Sequence, residues 1–294
     1  MYPDFLPLDL AGRQKYLGLW KTCPQHASDY SYVNLYAWNA ERGYEWAFTE
    51  GLCWLRTTIP EKVLWAPTGP WFDLDWPYIL ERAFPERTIF ERVPGKLALH
   101  LKEELNEKVL IQEDPSEGEY IYSIPEMIEL PGKKFHKKKN LLNQFLREYE
   151  HSYIEITPGI IEEILRIQHD WCLWKNCDGS SGLKAENQAI ARVLGSWKSL
   201  GRLFGGALIV KDRIIAYTIA EEVDPENIII HFEKGLTEYK GAYQAINQIF
   251  LEKSCSSFKW VNREQDMGNE NLRRAKLSYN PISILKKYQV IWAP

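Results

Sequence analysis

Apolar and polar positions alternate most regularly in the second half of the chain, where they predict a series of strands and helices. Apolar runs at 203–210 and 214–221 are separated by a polar turn at 211–213, which is typical of a β-hairpin. A third strand is predicted at 227–232 and a fourth at 258–261, and apolar residues between them recur at helical spacing from Gly241 onward. With a last strand predicted at 284–292, the order is hairpin, strand, helix, strand, helix, strand.

The first half has a less regular pattern, which predicts an α+β unit. A helix is predicted at 10–20, strands at 44–48, 52–58 and 62–66, and a short helix at 76–84. Pro125 and Pro131 then interrupt the pattern, and 294 residues are many for one hydrophobic core. We therefore predict two domains, at residues 1–130 and 131–294, and an α+β fold class with mixed sheets.

Composition places the chain among ordinary soluble globular proteins. Hydrophobic residues make up 45% and charged residues 26%, and the net charge of −4 gives no general preference for nucleic acid. The 12 tryptophans follow no repeat and are predicted to pack in the core. No apolar run is long enough to span a bilayer and the first residues do not resemble a signal peptide, so we expect a cytoplasmic, intact protein.

The cysteines and histidines predict neither a disulfide framework nor a metal site. The 5 cysteines are odd in number and include no CxxC pair, so Cys172 and Cys177 are expected to be reduced. The 6 histidines show no metal-ligand spacing. We therefore expect no metal and no permanently bound cofactor.

The densest group of charged residues lies near the C-terminus, directly after the predicted strand at 258–261. Side chains alternate along an extended segment, so Asn262, Glu264 and Asp266 are expected on one face. Arg263 and Gln265 are then expected on the other face. Charged groups at a strand end are typical of binding and catalytic sites, although a surface lattice of ion pairs would use the same residues.

A second polar feature is the basic start of a predicted amphipathic helix after residue 132. Cations at a helix N-terminus oppose the helix dipole, so this arrangement favours an anionic partner such as a phosphate or an RNA backbone. A solvated helix between domains is the alternative. The candidate phosphate- or RNA-binding residues are Lys133, Lys134, His136, Lys137 and Lys138.

The predicted order of elements resembles the N-acetyltransferase (GNAT) fold. In that fold a central strand splays from its neighbour, and the next helix N-terminus binds the pyrophosphate of coenzyme A. The corresponding loop here is 235–242, in which Lys240 and Gly241 are candidate phosphate contacts. The chain departs from the family at Tyr243, where a second small residue is expected, and an ordinary helix cap would also explain the glycine.

Several short motifs resemble a narrower group of proteins. They are Ser28-Asp29-Tyr30, 34–38, 132–138, His231-Phe232-Glu233-Lys234, 262–268 and 272–279. Over essentially the whole chain, these motifs resemble the phosphatidylglycerol lysyltransferase C-terminal-domain family. The resemblance implies two tandem GNAT-like domains, similar in plan to the Fem-type aminoacyltransferases, and transfer of an aminoacyl group from charged tRNA to an acceptor. The lysyltransferases also have a large multi-pass membrane portion that is not predicted here, so a lipid acceptor is not expected to carry over directly.

Transfer of an aminoacyl group to a hydroxyl or amine needs a base and stabilisation of the developing oxyanion. The candidate catalytic residues are Glu233, Glu264 and Asp266. The candidate substrate-binding residues are Lys234, Asn262, Arg263, Arg273, Lys276 and Tyr279. Within these sets, Glu233 or Asp266 is expected to act as the base, and Arg273 with Lys276 is expected to bind donor phosphates.

Three functions are compatible with the sequence. The first is an aminoacyl-tRNA-dependent transferase acting on a membrane lipid or a small amine acceptor, which predicts salt-sensitive binding of charged tRNA through 133–139. The second is an acyl-CoA-dependent N-acyltransferase, which predicts coenzyme A binding at Lys240 and Gly241. The third is a non-catalytic binding module on a transferase fold, whose cellular activity would survive substitution of Glu233 or Asp266.

Overall fold

The computed structural model describes residues 3–49, 51–175 and 177–294, and it divides the chain into two compact units. The first unit consists of Met1–Glu119, Gln265–Gly268 and Leu285–Pro294. The second consists of Tyr120–Glu264 and Asn269–Ile284. The division falls between Glu119 and Tyr120, whereas the prolines suggest a boundary near residue 130, and the last residues of the chain return to the first unit.

Strands and helices alternate along the described residues. The strands are β1 (Leu6–Pro7), β2 (Glu45–Thr49), β3 (Leu52–Thr57), β4 (Val63–Trp65), β5 (Thr88–Pro94), β6 (Val109–Glu113), β7 (Glu119–Ser123), β8 (Ser152–Glu155), β9 (Leu203–Val210), β10 (Arg213–Glu222), β11 (Asn227–Gly235), β12 (Trp260–Gln265), β13 (Ser283–Leu285) and β14 (Lys287–Trp292). The helices are α1 (Arg13–Trp20), α2 (Tyr32–Ala37), α3 (Asn39–Arg42), α4 (Trp76–Ala83), α5 (Gly95–Leu105), α6 (Ile124–Glu129), α7 (His136–Glu148), α8 (Ile161–Lys175), α9 (Ser181–Gly195), α10 (Trp197–Leu200), α11 (Ala242–Ser254) and α12 (Glu270–Leu277).

The first unit is built on a mixed sheet with the strand order β1-β2-β3-β4-β5-β14-β6. Strands β4 and β5 are parallel, whereas β14 runs antiparallel to both β5 and β6. The last strand was predicted in the series of the second half, and that placement was wrong. Insertion between β5 and β6 buries Val290 and Trp292 completely, which explains why the C-terminal strand belongs to the first sheet.

Tryptophan side chains form much of the core of this unit, as predicted. Trp71, Trp76 and Trp292 are almost fully buried. Each indole N–H donates to a backbone carbonyl: those of Pro67 at 2.9 Å, Trp71 at 2.8 Å and Phe84 at 2.8 Å, respectively. Burial of the large rings therefore leaves these polar groups satisfied.

The second unit is built on a mixed sheet with the strand order β13-β7-β12-β11-β10-β9-β8. Strands β9 and β10 form the predicted antiparallel hairpin, and β11 is antiparallel to β10 but parallel to β12. The prediction of an α+β fold with mixed sheets is confirmed.

Helices cover both faces of this sheet. The adjacent β10 residues Tyr217 and Thr218 point to opposite faces. The Tyr217 hydroxyl donates to Gln168 on α8 at 2.5 Å, whereas Thr218 and Asn247 on α11 both bind the Glu233 carboxylate. Helix α11 therefore lies on the Thr218 face and α8 on the Tyr217 face.

The structure differs from the expectation for two cysteines. Cys172 and Cys177 form a disulfide at the end of α8, so the prediction of reduced thiols was wrong for this pair. Cys23, Cys53 and Cys255 are free and buried. None of the helices formed by the described residues is long and apolar enough to cross a membrane.

Candidate active site in the second unit

The sheet of the second unit opens between its two parallel strands. Register pairs join β11 and β12 only at Asn227↔Trp260, Ile228↔Val261 and Ile229↔Asn262. Both strands continue beyond the last pair, to Gly235 and Gln265. Side chains instead of backbone hydrogen bonds therefore connect the two strands beyond this point.

A β-bulge in β11 lies at the start of this opening. Ile219 pairs with Phe232 and Ala220 with Ile230, so His231 is the extra residue of the bulge. Its side chain is fully buried, with Nε2 3.1 Å from Glu221 Oε2 and Nδ1 3.0 Å from Glu264 Oε1. Since ionised carboxylates only accept hydrogen bonds, an imidazole between two of them donates from both nitrogens and is positively charged.

The pKa of His231 follows from the same contacts. Burial lowers the pKa of the imidazole, but hydrogen bonds to Glu221 and Glu264 outweigh burial and raise it to about 9. His231 is therefore protonated at neutral pH and connects β10, β11 and β12 as a charged group.

Glu264 has an unusual backbone conformation for a strand residue, with a φ of 59° in the left-handed region. The side chain of Asn262 accepts a hydrogen bond from the Glu264 N–H at 2.8 Å, and Lys276 Nζ donates to the Glu264 carbonyl at 3.3 Å. These contacts hold the strained backbone and aim the carboxylate at His231. The Glu264 side chain remains 22% exposed.

Arg263 points to the other face of the sheet, as strand alternation predicts. Its Nη2 lies 2.8 Å from Glu233 Oε1. Glu233 Oε2 also accepts from Asn247 at 3.1 Å and from Thr218 at 3.4 Å, and the Glu233 side chain is only 9% exposed. The structure therefore places Glu233 as the ion-pair partner that holds Arg263 in position.

The Tyr279 ring lies beside this ion pair and is approached by two cations. Arg263 Cζ is 5.1 Å and Lys138 Nζ is 4.1 Å from the ring centroid. Burial lowers the pKa of Lys138, and the charge of Arg263 lowers it further. We call Arg263, Glu233 and Tyr279 the Tyr279 cluster. Lys138 of the predicted basic segment contacts this cluster.

The other predicted basic residues at the start of α7 point elsewhere. Lys133 and Lys137 are exposed. Lys134 forms an ion pair with Glu126 at 2.7 Å, and the exposed His136 lies 3.1 Å from the Asn140 side chain. The side chains of these residues lie on the protein surface, whereas the Lys138 side chain points towards the Tyr279 ring.

The remaining predicted substrate-binding residues have separate contacts. Lys276 Nζ donates to the backbone carbonyl of Arg263, so it supports β12 from α12. Lys234 lies on the opposite face from Glu233, where it pairs with Glu186 at 2.7 Å. Arg273 is partly buried on α12.

The predicted phosphate loop before α11 packs against α7 at Gly241. Gly241 has a φ of 88°, and a Cβ at this position would overlap the carbonyl oxygen of Leu141 and lie 3.0 Å from Cβ of Phe145. Helix α7 thus packs directly on the start of α11. Lys240, next to Gly241, is exposed.

Asp266 belongs to the first unit and is fully buried there. Its Oδ1 accepts a hydrogen bond from the Gly268 N–H at 2.8 Å, which supports the turn before α12. The structure therefore shows Asp266 in a turn, while Glu233 and Glu264 lie in the opening of the second sheet.

The Ser28-Asp29-Tyr30 motif is part of a buried charge network in the first unit. The Asp29 carboxylate binds Lys287 and, at 2.8 Å, Arg92, while Lys287 also lies 2.6 Å from Glu119. Burial raises the pKa of the Asp29 carboxyl, but Lys287 and Arg92 outweigh burial and lower it to about 2. Glu119 in turn accepts from the Ser28 N–H at 3.0 Å. The motif therefore stabilises the fold of the first unit.

Comparison with known proteins agrees with the fold and the motifs. The family model described as phosphatidylglycerol lysyltransferase, C-terminal, matches residues 20–291. This protein belongs to that lysyltransferase C-terminal family.

This family member is also similar to several solved structures and to one further relative. A conserved protein of unknown function from Bacteroides thetaiotaomicron is 30% identical over 99% of both chains, with a TM-score of 0.88. L-PGS from Bacillus licheniformis is 11% identical over 95% of this chain and 91% of that chain, with a TM-score of 0.63. FemX is 6% identical over 97% and 96% of the chains, with a TM-score of 0.60, so both likenesses show the fold alone. An uncharacterized protein from Mycoplasmoides gallisepticum is 28% identical over 177 residues, which span 60% of this chain but only 56% of that relative.

Two residues of the site in this family member were not predicted, namely His231 and Glu221. A signal was present, because each is a buried polar residue that directly follows a run of buried apolar residues in its strand. Their contact depends on the bulge at His231, which no sequence pattern specifies.

Proposed function

We propose that this protein transfers an aminoacyl group from aminoacyl-tRNA to a hydroxyl or amine of a lipid or another acceptor. The observation that carries the proposal is the opening between β11 and β12, where Glu264 is held by His231 and Arg263 by Glu233. Membership of the lysyltransferase C-terminal family supports the same reaction class.

Glu264 is the carboxylate best suited to act as the base. Its side chain is 22% exposed, compared with 9% for Glu233, whose carboxylate is bound by Arg263. In the reaction, the acceptor hydroxyl or amine gives its proton to Glu264 and attacks the carbonyl carbon of the aminoacyl ester. The ester C–O bond then breaks, and the ribose oxygen of the tRNA leaves with the proton. His231 acts as a positioning residue, because its buried imidazolium fixes the carboxylate.

The covered start of α11 supports aminoacyl-tRNA over coenzyme A as the donor. A pyrophosphate at a helix N-terminus needs close approach to the backbone. Here the Leu141 carbonyl of α7 occupies the space beside Gly241. By contrast, Lys133, Lys137 and Lys139 are exposed and can contact the phosphates of an RNA.

A transfer assay tests the reaction and the base together. The full chain is incubated with charged tRNA and a panel of acceptors that includes phosphatidylglycerol vesicles and small amines, and the aminoacylated product is measured. We expect Glu264→Gln to lower turnover by about 100-fold or more, which is the usual contribution of a general base. The matched control is Glu252→Gln, since Glu252 is an exposed residue of α11 and should leave turnover unchanged.

Each part of the proposal has an outcome that contradicts it. Full activity of Glu264→Gln would remove Glu264 as the base. Product formation with acetyl-coenzyme A but with no charged tRNA would show that the donor is an acyl-coenzyme A and not an aminoacyl-tRNA. Absence of turnover with every donor and acceptor would favour a non-catalytic binding module.

A further inference from the structure

Lys138 occupies an unusual position for a lysine at the start of a helix. It is the third residue of α7, yet its ammonium group lies 4.1 Å from the centre of the Tyr279 ring and is only partly exposed. Tyr279 is itself 8% exposed. The lysine therefore gives up part of its hydration to reach a cluster inside the second unit.

The charges around the Tyr279 ring do not balance. Arg263 is paired with Glu233, whereas no carboxylate among the described residues lies within ion-pair distance of Lys138. The cluster therefore has an excess of positive charge in a partly dehydrated environment.

Cation–π contact alone is a weak reason for this arrangement. An ammonium over an aromatic ring gains about 0.5–2 kcal/mol, depending on desolvation. Arg263 would occupy the ring without Lys138, and the two cations repel each other, as the lowered pKa of Lys138 reflects. An anion placed between them would remove the repulsion and restore hydrogen bonds to the ammonium group.

We propose that Lys138 and Arg263, which both approach the Tyr279 ring, bind one phosphodiester group of a substrate. Guanidinium groups bind phosphate oxygens in pairs, and an ammonium group adds a further point contact. The source of this phosphate follows from the proposed function, on which this part of the proposal rests. That source is either the 3′-terminal nucleotides of a charged tRNA or the headgroup of a phospholipid acceptor.

Isothermal titration calorimetry on the full chain tests this site without any transfer reaction. The probes are the trinucleotide CCA and glycerophosphoglycerol, which represent the two sources, each titrated at one fixed ionic strength. We expect at least one probe to bind and Lys138→Gln to weaken that binding by about 10- to 100-fold, since a charged contact is lost. The probe that binds assigns the site to the donor or to the acceptor.

Lys253→Gln is the matched control, because Lys253 is an exposed lysine near the end of α11 and lies outside the basic segment 133–139. We expect it to bind the probe as the wild type does. Equal loss in Lys253→Gln and Lys138→Gln would overturn the proposal in favour of a general effect of charge, and absence of binding by both probes would overturn it outright. Thermal unfolding of each variant checks that loss of binding is not loss of fold.

Lys138→Arg gives a second, independent measurement. The lowered pKa of Lys138 means that the wild type should lose probe affinity on alkalinisation earlier than an ordinary lysine would. Arg263 keeps its charge, and burial raises the pKa of Tyr279 to about 12, so neither residue titrates in that range. We expect Lys138→Arg to bind the probe and to lose this pH dependence, whereas an unchanged pH profile would contradict the proposal. Since binding is measured without turnover, this result is separate from that of the Glu264→Gln assay.

Discussion

At the scale of single residues, the site depends on charges whose partners are specific. His231 donates from both ring nitrogens to carboxylates of neighbouring strands, and Arg263 is held by a carboxylate that Asn247 and Thr218 also bind. Isolated buried charges are costly, and a pair is stable only while both partners are present. These residues therefore contribute to stability as well as to the proposed chemistry.

The pH dependence of stability should report the charge on His231. Its folded-state pKa of about 9 lies above the usual value of about 6.5. The stabilisation is therefore fully present below pH 6.5 and is lost as the pH rises through 9, by on the order of 3 kcal/mol. Denaturant unfolding across this range should show the decline in the wild type but not in His231→Gln. The exposed His169→Gln should behave as the wild type does, and a decline retained in His231→Gln would assign the effect to another group.

At the scale of elements, the packing of α7 on α11 decides what can approach the site. Gly241 lets the chain turn into α11 with a positive φ while the α7 backbone lies against it. This close packing also brings Lys138 of α7 to the Tyr279 ring. One helix contact therefore places α7 against Gly241 of the predicted phosphate loop and brings Lys138 into the cationic cluster.

Gly241→Ala should destabilise the second unit. The new Cβ would overlap the Leu141 carbonyl in a backbone conformation that costs about 1–2 kcal/mol for a residue with a side chain, so we expect a loss of about 2 kcal/mol or more. Gly195→Ala is the control, because no atom lies within 4 Å of its added Cβ and its φ is not positive. It should be neutral or stabilising by up to about 1 kcal/mol, as measured by denaturant unfolding. Equal stability of the two variants would contradict the packing described here.

At the scale of the whole molecule, the chain crosses between its two units more than once. The segments Gln265–Gly268 and Leu285–Pro294 belong to the first unit although they follow the second in sequence. Lys287 of β14 is fully buried with Asp29 and Glu119, so the C-terminal strand supplies a charge on which the first unit depends.

Lys287→Met should destabilise the first unit specifically. It leaves Asp29 and Glu119 without their shared cation, and breaking a buried pair costs about 3–5 kcal/mol. Hydrogen exchange should then become faster in β5 and β6, with β9 and β10 of the second unit little changed. Lys286→Met removes a neighbouring ion pair with Glu113 that is 56% exposed at the lysine, and it should have little effect on stability. Similar effects of the two substitutions would show that the buried network does not stabilise the unit.

Local patterns in the sequence were sufficient for the hairpin, for α11 and for the opposite orientations of Arg263 and Glu264. These features depend on periodicity over a few residues, which the chain carries in itself. The family could also be identified, because its motifs are contiguous. The same contiguous motifs contain Glu233, Arg263, Glu264 and Tyr279, which stay candidate site residues.

Tertiary structure alone decided which of these residues lie together. The bulge at His231, the placement of β14 in the first sheet and the approach of Lys138 to Tyr279 all join residues far apart in sequence. Such contacts are favourable because they bury large apolar surfaces and because they pair charges that would otherwise be buried without a partner. The sequence by itself determined many of the elements, the family and the candidate site residues in its motifs, and the packing of those elements determined which charge meets which partner.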